Sequence, residues 1–288
     1  MLLAAMLVAG AAQAEVRVTD DYGKEVVLAA PARRVVSLAP HLTELMYAAG
    51  AGERLVGAFA YSDYPPAAKS LPRVGSEAQI DLEAVVALNP DLVIAWPQSG
   101  STRAVERIAA LGIPVFRSEP RELEDIARTM ETLGRLAASE ATAAAAARAF
   151  RERTARLVRA YAGRPVVRAF YQVWDRPLIT VNADHVISKV MRLCGGENVM
   201  ADLPAIAPEI DRERVLRADP EAIVASGSDG RHPEWLREWR AFPDLAAVRS
   251  GNLYAVPPEL VQRHTPRLLD GAEAICRFLA EVRTRRMR

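Results

Sequence analysis

Apolar positions along the chain fall into short unbroken runs that alternate with stretches of helical periodicity. Residues 16–28 (VRVTDDYGKEVVL) alternate apolar and polar around Asp21-Tyr22-Gly23, the pattern of a small hairpin. The runs at 34–38, 55–59, 92–96 and 114–116 read as buried strands, and 42–49 and 102–111 between them read as amphipathic helices. From 122 the pattern becomes helical over 123–136 and again over 140–161, the second stretch rich in Ala and Arg with no breaker before Gly163. A second strand-and-helix series starts at 166–173, continues with strands near Ile223 and Leu253, and closes in a helix over 268–282. Such alternation predicts an α/β chain with mostly parallel sheets. The basic residues 283–288 read as a solvated, frayed tail.

Residues 80–96 (IDLEAVVALNPDLVIAW) recur 130 positions later as 210–226 (IDRERVLRADPEAIVAS). In each copy an Asp (Asp81, Asp211) stands where a helix N-cap belongs, a Glu (Glu83, Glu213) follows two residues later where the helix dipole favours negative charge, and Asn89-Pro90 or Asp219-Pro220 stops the helix. A weaker correspondence sets 41–50 (HLTELMYAAG) near 186–195 (VISKVMRLCG), each a helix closing on glycine. Copies so far apart imply two similar lobes, since solenoid units recur every 20 to 50 residues or so. The expected organisation is a signal peptide at 1–14, an N-terminal lobe at 15–137, a connecting helix at 138–163 and a C-terminal lobe at 164–288. A helix of about 20 residues is near 30 Å long, enough to join two lobes with a ligand cleft between them.

The 288 residues are half hydrophobic and carry a formal net charge of +1, so the chain lacks the basic field that a nucleic-acid binder uses. The apolar run 2–12 and Ala12-Gln13-Ala14 have the form of a signal peptide with its cleavage site, and no other segment is apolar enough to span a bilayer. A soluble periplasmic protein is expected. Export puts the two cysteines, Cys194 and Cys276, in an oxidising compartment where they can pair, with two unpaired buried thiols as the alternative. Neither has a second Cys or a His at metal-ligand spacing.

In open α/β lobes, ligands collect beyond the carboxyl ends of the strands. Tyr61 and Tyr64 follow the strand at 55–59, Trp96 ends the next repeat strand ahead of Gln98 and Ser99, and Trp174 follows 170–173. Only 6% of the chain is aromatic, so rings at three exits suggest flat apolar surfaces for a large ring system. Hydrolase elbows, phosphate loops and zinc-protease motifs are missing from the sequence, and His41, His185, His232 and His264 are dispersed. No catalytic residue, metal ligand or catalytic cofactor is therefore assigned.

The segments RVVSLAPHLTEL (34–45), YSDYPP (61–66), DLEAVVALNPDLVIAW (81–96), LCGGENV (193–199) and the closing TPR (265–267) with Cys276 resemble the periplasmic cobalamin-binding proteins of ABC importers. The resemblance covers nearly all of the mature chain. It implies two α/β lobes joined by a helix, a transported corrinoid, and a monomer that docks on a dimeric permease with its ATPase. It further implies that Tyr61 stacks on the corrin, that Glu259, Leu260, Val261, Gln262 and Arg263 line the opposite wall, and that Cys194 pairs with Cys276. Trp96 and Trp174 are the other ring candidates. Glu83 and Glu213 would each meet an arginine of the permease. The better-known members carry tryptophan near Glu77 and Ala207, where this chain does not, which makes Trp174 the candidate substitute. A haem or ferric-siderophore receptor of the same class is the alternative, and an exported metal-dependent hydrolase a remote one.

Overall fold

A computed structural model describes residues 14–76, 79–97, 101–227 and 233–286. Residues 1–13 of the expected signal peptide lie outside that range, as do Glu77, Gln98, Ser99 and His232. The chain divides into two compact units, residues up to 119 with 131–144, and residues 120–130 with 145–288.

In the first unit β1 (Val16–Thr19) and β2 (Glu25–Leu28) form the expected antiparallel hairpin. Then come β3 (Val35–Ser37), α1 (Pro40–Ala48), β4 (Leu55–Ala58), the short pair β5 (Gly75–Ser76) and β6 (Gln79–Ile80), α2 (Leu82–Ala87), β7 (Leu92–Ala95), α3 (Thr102–Ala110) and β8 (Val115–Arg117). The sheet has the order β4-β3-β7-β8, parallel throughout. A parallel sheet is covered on both faces, and all four residues of β7 are accordingly buried and apolar. Val36, Phe59, Val85, Val93, Val105 and Ile108 close one core over it.

The helices α4 (Leu123–Ala137) and α5 (Glu140–Tyr161) follow, and each supplies residues to both units. They meet closely at Gly134, where an added Cβ would lie 2.3 Å from that of Ala143. Only glycine permits that approach.

In the second unit β9 (Val167–Gln172) leads into a hairpin of β10 (Trp174–Asp175) and β11 (Leu178–Ile179). After it come α6 (Val186–Leu193), β12 (Gly196–Asn198), α7 (Arg212–Ala218), β13 (Ala222–Ser226), α8 (Glu234–Arg237), α9 (Ala246–Arg249), β14 (Leu253–Val256) and α10 (Leu268–Arg286). The sheet order is β12-β9-β13-β14, again parallel. Taken in chain order, both sheets run second, first, third, fourth. The sequence repeat is therefore a repeat of topology.

The repeated segment behaves alike in each copy. The Asp81 carboxylate accepts from Ala84 N at 2.9 Å and the Asp211 carboxylate from Arg214 N at 2.7 Å, which caps α2 and α7. Each of these short helices has one buried residue, Val85 or Val215, at matching positions. Burying one valine contributes about 1.5–3 kcal/mol, enough to hold a helix too short to persist alone. Asn89 and Asp219 stop the helices with φ of 44° and 39°. Ahead of a proline an extended backbone is expected; the left-handed turn appears instead because Asn and Asp tolerate it better than other side chains, and Asp219 Oδ1 is further held by Ala246 N at 2.8 Å. The weaker correspondence holds too, with Gly50 (φ 77°) after α1 and Gly195 (φ 71°) after α6.

The basic tail departs from expectation. α10 continues to Arg286, and its arginines are fastened to the unit beneath it. Arg283 donates to the carbonyls of Pro165, Cys194 and Gly195, Arg285 to Asn252 Oδ1, and Arg286 to Val166 O and the Glu221 carboxylate. The guanidinium fork satisfies carbonyls at strand and helix ends, so this end of the chain staples the second unit. Cys194, which caps α6, is disulfide-bonded to Cys276 of α10, with 4.8 Å between their Cα atoms.

Candidate functional site

Within each unit the parallel strands send their following loops off one edge, and that edge collects the aromatic residues. In the first unit Tyr61 follows β4 and Trp96 follows β7, the strands on either side of β3. Tyr61 has 76% of its surface exposed and sits at φ 62°. Trp96 is half-buried, its ring edge-on to His41 with centroids 5.2 Å apart. His41 itself is buried in the first turn of α1, directly after β3. A buried hydroxyl chain runs behind the edge, from Ser37 through Thr43 (2.9 Å) to Ser62 (3.0 Å), beside Tyr61.

In the second unit Trp174 is 56% exposed and lies 6.5 Å from Trp235 of α8. Nearby, Arg176 in the turn after Trp174 donates to Glu238 at 2.6 Å, and Arg212 of α7 reaches the other oxygen of the same carboxylate. The hydrogen bond from Arg212 and the nearby Arg176 charge hold the Glu238 carboxyl below its usual range. Trp235 is a residue the sequence reading missed. It lies beyond the exit of β13, on α8, nine residues after the strand ends, where no strand-exit pattern points to it.

The segment after β14 contains Glu259, Leu260, Val261, Gln262 and Arg263, folded over a single tight turn at Pro258–Leu260. Glu259, Leu260 and Arg263 are partly exposed. Val261 is a correction: it is fully buried, its side chain packed where a Cβ on Gly271 would lie 2.5 Å away, so it packs beneath the segment and is not available to a ligand. Gln262 donates through Nε2 to Ser226 Oγ at 2.9 Å, and Ser226 in turn bonds the Tyr171 hydroxyl at 2.8 Å. Burial pushes that phenol well above its ordinary range, so it stays neutral. Gln262 thereby fixes the segment to the carboxyl end of β13.

Behind Arg263, two of the dispersed histidines come together. His185 caps α6 by accepting from Ile187 N through Nδ1 at 3.2 Å, and its neighbours include His264 and Lys189. Burial lowers the pKa of both imidazoles from 6.5 to about 4. Among the described residues, no group of three His, Cys, Asp or Glu is placed to hold a metal ion.

Glu83 and Glu213 are exposed at the second position of α2 and α7. Among the described residues neither carboxylate has an ion-pair partner in the protein. Chemically, the edge of each unit presents ring faces and scattered hydrogen-bonding groups. Among the described residues, no helix is long and apolar enough to cross a membrane.

Residues 35–260 match the periplasmic binding protein family. The vitamin B12-binding protein of Vibrio cholerae is 38% identical over 249 residues, 86% of this chain and 90% of that protein. The crystal structure of the periplasmic vitamin B12 binding protein of Vibrio cholerae superposes with a TM-score of 0.82, covering 88% of this chain and 98% of the other. A periplasmic heme binding protein from Pseudomonas aeruginosa is 25% identical with a TM-score of 0.73, covering 85% and 91%. These are binding proteins, and the exported-hydrolase alternative is dropped. The chain belongs to the periplasmic binding protein family.

Proposed function

We propose that the chain is a periplasmic receptor that captures cobalamin or a related corrinoid and delivers it, as a monomer, to the dimeric permease and ATPase of an inner-membrane ABC importer. The observation that carries this reading is the 38% identity to a vitamin B12-binding protein along 90% of its length. The heme-binding relative, at 25%, is more distant. The corrin face stacks on Tyr61, with Trp96 on the same edge of the first unit; in the second unit Trp174, Leu260 and the polar heads of Glu259 and Arg263 are the groups suited to a macrocycle edge and its amides. Val261 and Gln262 hold that segment in place.

Calorimetric titration with cyanocobalamin is the direct test, with haem and ferric chelates as competitors. Binding of cyanocobalamin that haem does not displace is expected; no heat at micromolar ligand would sink the corrinoid reading. Tyr61→Ala should weaken binding about tenfold or more, because a stacked ring loses both its burial and its geometry-dependent attraction.

The repeated glutamates serve the permease. A two-fold partner presents the same patch twice, and two equivalent exposed carboxylates on one chain match it. Glu83→Ala with Glu213→Ala should leave cyanocobalamin affinity within about twofold and strongly reduce transport in reconstituted vesicles. Lost ligand binding with an intact fold would instead put these residues in the pocket.

A further inference from the structure

We infer that Arg73 is a positioning residue for Tyr61, acting as a clamp on the loop that presents the ring; this rests on the reading that Tyr61 touches the ligand. The segment 72–75 runs beside the end of β4, held by Ala58 N to Pro72 O at 2.9 Å, Val74 N to Ala58 O at 3.1 Å and Ala60 N to Gly75 O at 2.8 Å. That placement puts the Arg73 guanidinium against the loop. Its Nη1 donates to Phe59 O at 3.2 Å, and its Nη2 to Ser62 O at 3.0 Å, Ala68 O at 3.2 Å and Lys69 O at 3.3 Å.

The first two acceptors flank Tyr61 in the chain, and the last two close the far end of the same loop. One side chain therefore ties both ends of the loop together across its ring-bearing residue. Tyr61 needs such support, since a residue with a Cβ rarely adopts φ 62° unless its surroundings over-determine it. The ring is 76% exposed, and the direction in which it leaves the loop depends on the backbone at Tyr61. Ser62 keeps an independent anchor through its hydroxyl to Thr43, so the loop stays attached when Arg73 is replaced. What is lost is the orientation of Tyr61. Lysine cannot reproduce the clamp, because a point charge with three donors does not span acceptors that a planar fork does.

The experiment titrates cyanocobalamin into the full chain and into Arg73→Met, Arg73→Lys, Tyr61→Ala and the Tyr61→Ala/Arg73→Met double variant, with thermal unfolding as a fold control. The clamp predicts that Arg73→Met weakens binding about tenfold and Arg73→Lys about threefold, whereas Arg73→Met on the Tyr61→Ala background changes affinity less than about twofold. An equal loss on both backgrounds, or no loss from Arg73→Met, overturns the clamp while leaving the ligand reading intact. Wild-type protein that does not bind cyanocobalamin, or Tyr61→Ala that binds like wild type, removes Tyr61 from the site and takes the clamp's function with it. If Arg73→Met does not fold, Arg73→Lys and Tyr61→Ala/Arg73→Lys carry the same two-background comparison.

Discussion

Reducing the disulfide between Cys194 and Cys276 lowers the free energy of unfolding by roughly 4 kcal/mol, the largest single effect expected in this chain. The two residues are 82 apart in sequence, and cross-linking them removes the entropy of closing that long loop from the unfolded ensemble. In the native state the bond joins α6 to α10 inside the second unit, and both sulfurs are fully buried. The arginine staple at Arg283 holds the same junction through the carbonyls of Cys194 and Gly195, so the reduced protein should keep its fold and lose stability. Domains of ordinary size unfold at a cost of 5–15 kcal/mol or so, which makes this a large fraction of the whole. Urea unfolding followed by tryptophan emission mainly reads the correct unit, because Trp174, Trp235 and Trp239 belong to it and only Trp96 to the first. A lower midpoint in reductant is expected, reproduced without reductant by Cys194→Ala/Cys276→Ala. An unchanged midpoint with verified reduction would contradict the entropic account.

Stability of the same unit falls as the pH drops from about 6.5 to about 4, through His185 and His264. Burial is the main cause of both lowered pKa values. For His185 the charges of His264 and Lys189 add to it; for His264 Lys189 adds to it and Asp125 partly opposes it. Lys189 is itself held by Arg121 O and the Glu122 carboxylate, so its positive charge stays beside the imidazoles. Both native pKa values lie below the unfolded one. Above 6.5 neither state binds a proton at these sites and they impart no pH dependence. Between 6.5 and 4 the unfolded chain takes up protons that the native state refuses, so the native state loses ground as the pH falls; below 4 both are protonated and the trend ends. Each pKa unit is worth about 1.4 kcal/mol, and allowing for coupling and partial solvent access the pair should remove on the order of 3 kcal/mol. There is a structural reason as well, since a proton on Nδ1 of His185 abolishes the cap on α6. His185→Asn, which retains a capping acceptor, combined with His264→Gln should flatten the slope of unfolding free energy against pH in this window. A slope that survives the double substitution would locate the acid sensitivity elsewhere. Because His264 follows Arg263 directly, weaker cyanocobalamin binding is also expected at the low end of the window.

Much of this molecule was legible in its sequence wherever the deciding interaction spans only a few residues. Asp81 caps the amide three residues on and Asp211 does the same, so the two helix starts could be placed and Glu83 matched with Glu213 before any fold was known. Unbroken apolar runs identified β7 and β13 because a strand covered on both faces must be apolar throughout. Reading the strand exits likewise led to Tyr61, Trp96 and Trp174. Tertiary structure decided the rest, and for one physical reason: long polar side chains and loop residues acquire their partners only after the backbone is in place. Arg73 selects carbonyls up to 14 positions away, Trp235 comes to lie beside Trp174 across 61, and His185 and His264 interact in a half-buried site across 79. None of these pairings has a period or a spacing rule. By resemblance Val261 is one of five residues lining a ligand wall, yet it is core, since Gly271 opens a space for it that no local pattern announces. The basic end of α10, soluble by composition, is instead bound to the carbonyls of Pro165, Val166, Cys194 and Gly195, acceptors that exist as a set only once the second sheet has formed.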